Sequence, residues 1–444
     1  MGGADTIAAL ATPWGEGAVA MIRISGSEAV RTADRVFVGS CPLAQAGAGR
    51  VMRGVIRHGG RVIDEVLAVT FRAPKSYTGE DVVEISGHGG LVVADAVLRA
   101  IFAAGARPAE PGEFTRRAFL NGKMDLTQSE AVMDLISARG EASARAAVAQ
   151  LSGRLGREVE DLHGSAMTAL AHLEAFIDFP EEGIDPESGC ALLARVDALM
   201  ASLDRLLGTA DEGRMLREGV RLVINGRPNA GKSSLLNLLL GYDRAMVSEI
   251  PGTTRDTIEE NLTLRGIPFR VIDTAGLREA SGDALEEEGM RRTREHLAKA
   301  DISLRVVEAC HWKDAGPVAN HEVVVLNKMD LWDGPEIPAG VIPMCCLDAR
   351  GLDQLVEALV ERTRITPPDA ARGEAVAINA RHQDCLRRAK EALQAARASL
   401  GRAEAPEFTA VELRAALEAI GEITGGSDAD DVLGEIFRNF CIGK

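Results

Sequence analysis

The spacing of apolar positions changes character along the 444 residues. Up to about residue 119 the apolar runs are short and β-rich: "GAVAMIRISG", "RVIDEVLAVTFRA" and "DVVEISGHGG". Glycine and proline punctuate them, and "LVVADAVLRAIFAAGA" has helical spacing, so 1–119 is predicted to be a small α+β domain. Between 120 and 219 the chain is alanine-rich and helical. Leu151, Leu155, Val159, Leu162, Ala166, Leu170, Leu173 and Ile177 step by three or four and predict one apolar face of a long helix. "DFPEEGIDPESG" breaks that pattern, and helix resumes from about Leu192 to Leu216.

From 220 to 366 strand and helix patterns alternate. "VRLVING", "PFRVIDTAG" and "HEVVVLNKMD" each end in a loop carrying glycine or polar residues, which is the pattern of a parallel, doubly wound sheet with its loops gathered at the strand C-termini. Helical patterns return from 367 to 444, in "NARHQDCLRRAKEALQAARASL" and "TAVELRAALEAIGEITG". Alanine-rich helices therefore flank the α/β region on both sides. The economical arrangement is one discontinuous all-α domain with a Ras-like α/β domain inserted into it, after an N-terminal α+β domain.

Composition adds limits to this picture. Hydrophobic residues make up 46% and charged residues 26%, ordinary for a soluble globular chain of two to four domains. No apolar stretch reaches the roughly 18 residues needed to span a bilayer. The start, "MGGADTIAALATPWGEG", lacks a charged n-region and a long apolar h-region, so no secretory signal is expected, and it makes a poor myristoylation box. The seven cysteines show neither zinc-site spacing nor a CxxC pair, which favours free thiols in a reducing cytoplasm. A net charge of −16 argues against a chain that grips nucleic acid alone; a local basic patch or a partner would have to supply the positive charge.

The chemistry is concentrated in four motifs. "GRPNAGKS", Gly226 to Ser233, fits G-x-x-x-x-G-K-[ST] between an apolar strand and a helix. Its glycines let backbone N–H groups wrap phosphates, Lys232 would reach the β- and γ-phosphates, and Ser233 would ligate Mg²⁺. Asp273 in "VIDTAG" closes a strand at the place of the second Mg²⁺-site acid, and Gly276 can give an N–H to the γ-phosphate. "NKMD", Asn327 to Asp330, closes the next strand. A carboxylate at Asp330 can accept from the ring N–H and exocyclic amine of guanine, a pair adenine does not offer, and Lys328 would lie over the base plane. "PGTTRD", Pro251 to Asp256, falls where a switch loop belongs, with Thr254 a second candidate Mg²⁺ ligand. After "DTAG" stands Leu277, which cannot orient the attacking water as a glutamine would. A monovalent cation held by Asn229, Ser248 and the backbone near Ile250 could supply the missing positive charge. "ALEEEG", Ala284 to Gly289, offers three acids to orient water, although such a run is more often a solvated helix face.

Together these residues resemble the MnmE (TrmE) tRNA-modification GTPases. The resemblance runs along essentially the whole chain, through "DTIAALATP", "MIRISG", "SYTGEDVVEISGHGG", "PGEFTRRAFLNGKMDLTQSEAVMDLI", "DFPEE", "GRPNAGKSSLLN", "IPGTTRD", "DTAGLRE", "NKMD" and the terminal "CIGK". It implies that 1–119 binds a tetrahydrofolate one-carbon carrier and forms the homodimer, with ligand contacts at Arg23, Glu80, Lys123 and Lys444. It implies K⁺ on Asn229, Ser248, Ile250 and Thr253, and Mg²⁺ on Ser233 and Thr254. GTP would be lined by Asn229, Ala230, Gly231, Lys232, Ser233, Ser234, Ser248, Glu249, Ile250, Pro251, Gly252, Thr253, Thr254, Asp273, Thr274, Ala275, Gly276, Asn327, Lys328 and Asp330. The water-orienting glutamate maps to Glu286; one extra residue before it leaves Glu287 as the alternative. Glu286, Arg255 and Cys441 are the catalytic candidates. Two departures stand out: Cys345-Cys346 replaces the Ser-Ala pair usual in the last guanine-contacting loop, and "EISGHGG" replaces a form with a central cysteine.

The resemblance further implies a complex with MnmG, a flavoprotein carrying FAD, which together with this chain would add a (carboxymethyl)aminomethyl group at C5 of the wobble uridine of certain tRNAs. Folate, as 5,10-methylenetetrahydrofolate or a related form, would supply the carbon, and the acidic chain fits a partner that carries most of the RNA grip. A ribosome-assembly GTPase is the main rival, but it should carry a basic tail or RNA-binding module, and neither is found. A membrane-anchored switch prenylated at Cys441 is the third reading. The end "CIGK" has glycine and then lysine where a prenylation box wants an aliphatic and a small residue, so the lipid is rejected. Ile436, Phe437 and Phe440 can instead anchor a last helix whose tip points toward the folate site.

Overall fold

In the computed structural model the described residues are 5–178, 189–243, 260–272, 296–314, 322–332, 334, 337, 340–365, 378–402, 404–426, 430–438 and 440–444. The chain divides into two units, Met1–Met133 with Gly421–Lys444, and Asp134–Ile420.

The first unit is built on seven strands: β1 (Ile7–Leu10), β2 (Val19–Ser25), β3 (Phe37–Gly39), β4 (Val51–His58), β5 (Arg61–Phe71), β6 (Val82–His88) and β7 (Arg107–Pro108). They form one sheet in the order β3-β4-β5-β6-β2-β1-β7, antiparallel apart from the β1–β7 pair. Period-two alternation gives the sheet two different faces. Ile22, Ile24, Val83 and Ile85 point to one side, where they pack with Ala94, Val97, Leu98 and Ile101 of helix α2 (Leu91–Ala103). The opposite side is covered by α3 (Glu113–Leu120), whose Phe114 packs with Ile7, Ala9 and Tyr77. The register pairs Arg23 with Glu84 on neighbouring strands, which places these two charges under α3. Helix α1 (Ala29–Asp34) and the start of α4 (Leu126–Ser137) complete the first segment.

The second unit carries a six-stranded sheet. Its strands are β8 (Val220–Asn225), β9 (Glu260–Leu264), β10 (Ile267–Ile272), β11 (Ile302–Glu308), β12 (Glu322–Asn327) and β13 (Val341–Pro343), in the order β13-β12-β11-β8-β10-β9. All pairs are parallel except the edge strand β9, which runs antiparallel to β10. Helices α9 (Lys232–Asp243) and α10 (Leu352–Thr363) contribute Leu235, Leu236, Leu239, Leu355 and Leu359 to its core. Strand β11, "ISLRVVE", lies between β8 and β12; its sequence did not stand out because Ser303 and Arg305 interrupt the apolar run, yet Ser303 is buried and bonded to Asn225.

The same unit contains α5 (Glu141–Leu151), α6 (Arg154–Asp178), α7 (Gly189–Leu207), α8 (Ala210–Glu218) and α11 (Ala380–Gly401), with most of α12 (Pro406–Thr424); α5 and α8 lie on β10. The two sequence-distant helical segments do pack together: α11 lies on α7, with ion pairs Arg397–Asp197 and Lys390–Asp204, both 2.6 Å, across the contact. The α/β fold is thus an insertion in a discontinuous helical domain. Leu155, Val159, Leu162, Ala166, Leu170 and Leu173 form the buried stripe of α6. Leu151 does not extend that stripe. It ends α5, because the chain turns at Ser152–Gly153, where Gly153 adopts φ +80°. The stretch Leu192–Leu216 likewise spans two helices, interrupted at Gly208 and Thr209. Among the described residues no helix is long and apolar enough to cross a membrane.

Candidate functional site

The phosphate loop runs from the end of β8 to the start of α9. Asn229, at φ +62°, and Gly231, at φ +99°, turn the backbone there; an asparagine tolerates the left-handed region better than most residues. Gly231 has no room for a side chain: a Cβ built on it would overlap the Nδ2 of Asn327. Lys232 opens α9, and its ammonium donates to the carbonyls of Gly226 and Arg227, each at 3.0 Å. Burial holds this lysine below its ordinary pKa. Incoming phosphate oxygens would take over from the two carbonyls and favour the charged form. Ser233 and Ser234 are exposed on the first turn of the helix, and Ala230 is buried behind the loop.

"NKMD" lies at the C-terminal end of β12, beside the loop. Asn327 is 2% exposed and works as a cross-brace: its Nδ2 donates to Ala230 O at 2.9 Å, and its Oδ1 accepts from the Cys346 N–H at 3.2 Å. The backbone of Lys328 is left-handed at φ +62°, and its ammonium pairs with Glu308 at 2.8 Å. Asp330 is exposed, and one of its carboxylate oxygens accepts from the Cys345 thiol at 3.5 Å. Cys345, where the resemblance expects serine, thus keeps a donor on Asp330, the acid expected to read the base. Burial, with the neighbouring Cys345, pushes the Cys346 thiol up to about 11, so it stays protonated at neutral pH. Glu308, which holds Lys328, was not anticipated; nothing in its local sequence distinguishes it from a solvated strand end.

Of the nucleotide residues expected from sequence, the structure brings together Asn229, Ala230, Gly231, Lys232, Ser233, Ser234, Asn327, Lys328 and Asp330 at the C-terminal edge of the sheet. Ser248, Glu249, Ile250, Pro251, Gly252, Thr253, Thr254, Arg255, Asp273, Thr274, Ala275, Gly276 and Glu286 lie outside the described residues.

A second site lies in the first unit. Arg23 is 8% exposed, and its Nε and Nη2 donate to Glu84 Oε1 at 2.9 and 2.8 Å. The guanidinium lies over the rings of Tyr77 and Phe114, 5.0 and 5.7 Å from their centroids. Its Nη1 is buried and has no hydrogen-bond partner among the described residues, an arrangement that is costly unless a ligand completes it. An open cleft of about 340 Å³ is lined by Tyr77, Glu84 and Lys123. The tail reaches this region. Helix α13 (Asp430–Arg438) packs on α3, the rings of Phe437 and Phe440 meet at a tilt of 55° with centroids 5.1 Å apart, and the Cys441 carbonyl accepts from the Gly112 N–H at 3.4 Å. Gly443, at φ +100°, lies against the Leu10 carbonyl so closely that a Cβ would overlap it. Burial and then the like charge of Arg23 hold the Lys444 ammonium below its ordinary value, while Glu84 and Cys441 act in the opposite sense. Lys444 thus lies within electrostatic reach of Arg23 and Glu84, and Cys441 is exposed three residues before it.

Glu80 is placed differently from Arg23 and Lys444. Its oxygens accept from Ser25 Oγ at 2.8 Å and from Arg117 Nη1 at 3.1 and 3.2 Å, and Arg117 also meets Glu113 at 2.8 Å. Lys123 is exposed, and its ammonium donates to the Pro74 carbonyl at 3.0 Å. The acid facing Arg23 is Glu84, which sequence reasoning passed over. Its signal was a charge between Val83 and Ile85 in the apolar first half of the strand.

Comparison with known proteins follows the same division. The family model described as the MnmE helical domain matches residues 126–441, and that of the GTP-binding protein TrmE N-terminus matches residues 6–123. A tRNA modification GTPase MnmE from Akkermansia muciniphila is 48% identical over 99% of each chain. The chain belongs to the MnmE family of tRNA modification GTPases. MnmE proteins of the same description from Syntrophotalea carbinolica and Carboxydothermus hydrogenoformans are 44% and 41% identical, again over 99% of each chain. The two family models between them span residues 6–441.

Proposed function

We propose that this tRNA modification GTPase is stimulated by K⁺ and acts with the flavoprotein MnmG, which carries FAD, to add a (carboxymethyl)aminomethyl group at C5 of the wobble uridine. The observation that carries the GTPase part is the cross-brace of Asn327 between the phosphate loop and the base-reading strand. Lys232 and the loop N–H groups would hold the β- and γ-phosphates, and Asp330 would select guanine. Mg²⁺ on Ser233 and Thr254, and K⁺ on Asn229, Ser248, Ile250 and Thr253, would neutralise charge on the phosphates when bound. Ser233 sits exposed on the first turn of α9 and Asn229 in the left-handed bend, positions that suit a ligand on the phosphate side. Glu286 would orient the attacking water, and Arg255 of "PGTTRD" is the other catalytic candidate of this domain.

In the other unit, the unpartnered Nη1 of Arg23 supports an anionic ligand, and a folate offers both a glutamate tail and a pterin ring. Arg23, Lys123 and Lys444 would hold the carboxylates, and Glu84 or Glu80 would accept from ring N–H groups. Cys441 stands exposed at the same place and would act in the modification step. In this reading 1–119 is the folate-binding and dimerisation domain, 120–219 and 367–444 are the helical domain, 220–366 is the GTPase domain, and the cytoplasmic homodimer meets tRNA through its complex with MnmG.

The test is GTP turnover in KCl and in NaCl. Turnover should be much faster in KCl, and equal rates would remove the cation mechanism. In the same assay Glu286→Ala should abolish turnover while leaving GTP affinity nearly intact; unchanged turnover would move the role to Glu287.

A further inference from the structure

Strand β11 ends at Glu308, and a short helical turn, Ala309–Asp314, follows it. The turn is fixed from within: Ala309 is buried with Val324 and Leu326, and Trp312 packs against the same cluster. Cys310 and His311 are thereby left facing outward, and both are exposed. The Cys310 Sγ lies 3.1 Å from His311 Nδ1, and His311 Nδ1 lies 3.5 Å from Glu308 Oε2. One ligand atom from each of the three residues falls within 4.8 Å of the other two.

Those separations have a chemical meaning. Ligands on a tetrahedral Zn²⁺, at about 2.0–2.3 Å from the metal, stand roughly 3.5 Å from one another. The observed 3.1 and 3.5 Å separations lie close to that value. We propose that Glu308 Oε2, Cys310 Sγ and His311 Nδ1 form a three-ligand site for a Zn²⁺-class divalent metal, with water in the fourth position.

The charges balance. Binding releases the thiol proton, and a thiolate, a carboxylate and a neutral imidazole offset the two positive charges of the ion. The donor set also selects for the class of ion, since thiolate and imidazole favour Zn²⁺ or Co²⁺ over Mg²⁺ or Ca²⁺. Glu308 is held for the task from outside: Lys328 takes its other oxygen, Oε1, at 2.8 Å, which leaves Oε2 toward Cys310 and His311. Lys328 joins the site to the nucleotide region, but the metal ligands themselves are none of the expected nucleotide residues, so the site does not depend on the reading of the reaction.

The test uses the full chain, stripped of metal and kept reduced, and titrated with Co²⁺ and then with Zn²⁺ in competition with a chelating dye. A thiolate–Co²⁺ charge-transfer band should grow to one equivalent and be displaced by Zn²⁺. Cys310→Ser should remove the band, and His311→Ala should weaken Zn²⁺ binding at least about a hundredfold, the upper cost of losing even an outer partner of a ligand. Cys190→Ser, which alters an exposed thiol on α7, should leave the band intact. Circular dichroism of each variant separates loss of a ligand from loss of fold. A band that survives in folded Cys310→Ser, or Zn²⁺ affinity unchanged in folded His311→Ala, overturns the proposal.

Discussion

The phosphate loop and the cleft at Arg23 and Glu84 handle charge by opposite means. The loop is mostly main chain, and its one formal cation, Lys232, rests on backbone carbonyls until a ligand arrives. The cleft is mostly side chain: Arg23 is buried between two aromatic rings, Glu84 faces it, and Lys444 is brought alongside by the tail. A backbone site tolerates changes in neighbouring side chains but cannot tolerate an added Cβ. A side-chain site tolerates small backbone shifts but not the loss of one charge.

That contrast can be broken most forcefully at Gly231. In Gly231→Ala the new methyl would displace Asn327 and hold an alanine at positive φ. A buried amide left unsatisfied costs about 1–3 kcal/mol, and backbone strain adds a similar amount. Affinity for a fluorescent GDP analogue should fall about a hundredfold or more. Near-normal affinity would mean that the loop is not built as described. The effect should stop at the nucleotide, with folate binding unchanged.

The matching experiment in the cleft is Arg23→Ala. Breaking a fully buried ion pair costs about 3–5 kcal/mol, and because Glu84 keeps 23% of its side chain exposed, about 2 kcal/mol is expected. For a unit of this size that lowers the melting temperature by roughly 4–8 °C in calorimetry. Folate binding should be lost while GDP affinity stays the same. A drop in GDP affinity would show that the two sites are not independent.

A gentler probe is Gly443→Ala, which would push the tail off the Leu10 carbonyl. Folate affinity should fall about tenfold, and because Gly443 is buried and at positive φ, stability should fall by about 1 kcal/mol, the low end of the cost of a strained backbone position. An unchanged folate titration would remove the tail from the site.

Smallest is the response to acid. Burial alone would raise the Glu113 carboxyl, but Arg107, the Glu110 N–H and Arg117 together hold it below its ordinary value near 4.5. Its folded pKa is therefore lower than its unfolded one. The stabilisation is present above about pH 4.5 and is lost as pH falls through the folded value. Calorimetry from about pH 6 to about pH 3 should show melting fall only below the ordinary carboxylate range. Glu113→Gln should flatten that fall, and an unaltered slope would exclude this network as its source.

The same contrast explains what the sequence could show. Gly226, Gly231, Lys232 and "NKMD" are legible because a backbone cradle needs particular residue types at fixed short spacing. Arg23, Glu84, Lys123 and Lys444 come from four distant segments, and only strand register and the turn of the tail bring them near one another. Without a family resemblance, Arg23 reads as a surface ion pair, whereas it is a buried one. Glu80 is drawn to Arg117 and Ser25, contacts that no local pattern announces. In α6 the helical period continued past a real boundary, because periodicity reports faces and not the left-handed turn at Gly153.

The Asn327 brace has one further consequence. It ties the loop at Ala230 and the Cys346 N–H to a single side chain, so the spacing between the phosphate and base subsites is set before any nucleotide arrives. A ligand that spans both subsites pays the entropy of association once. Guanosine and pyrophosphate offered as separate fragments should each bind weakly, and their joined form should gain far more than the sum, as an effective concentration of one end at the other.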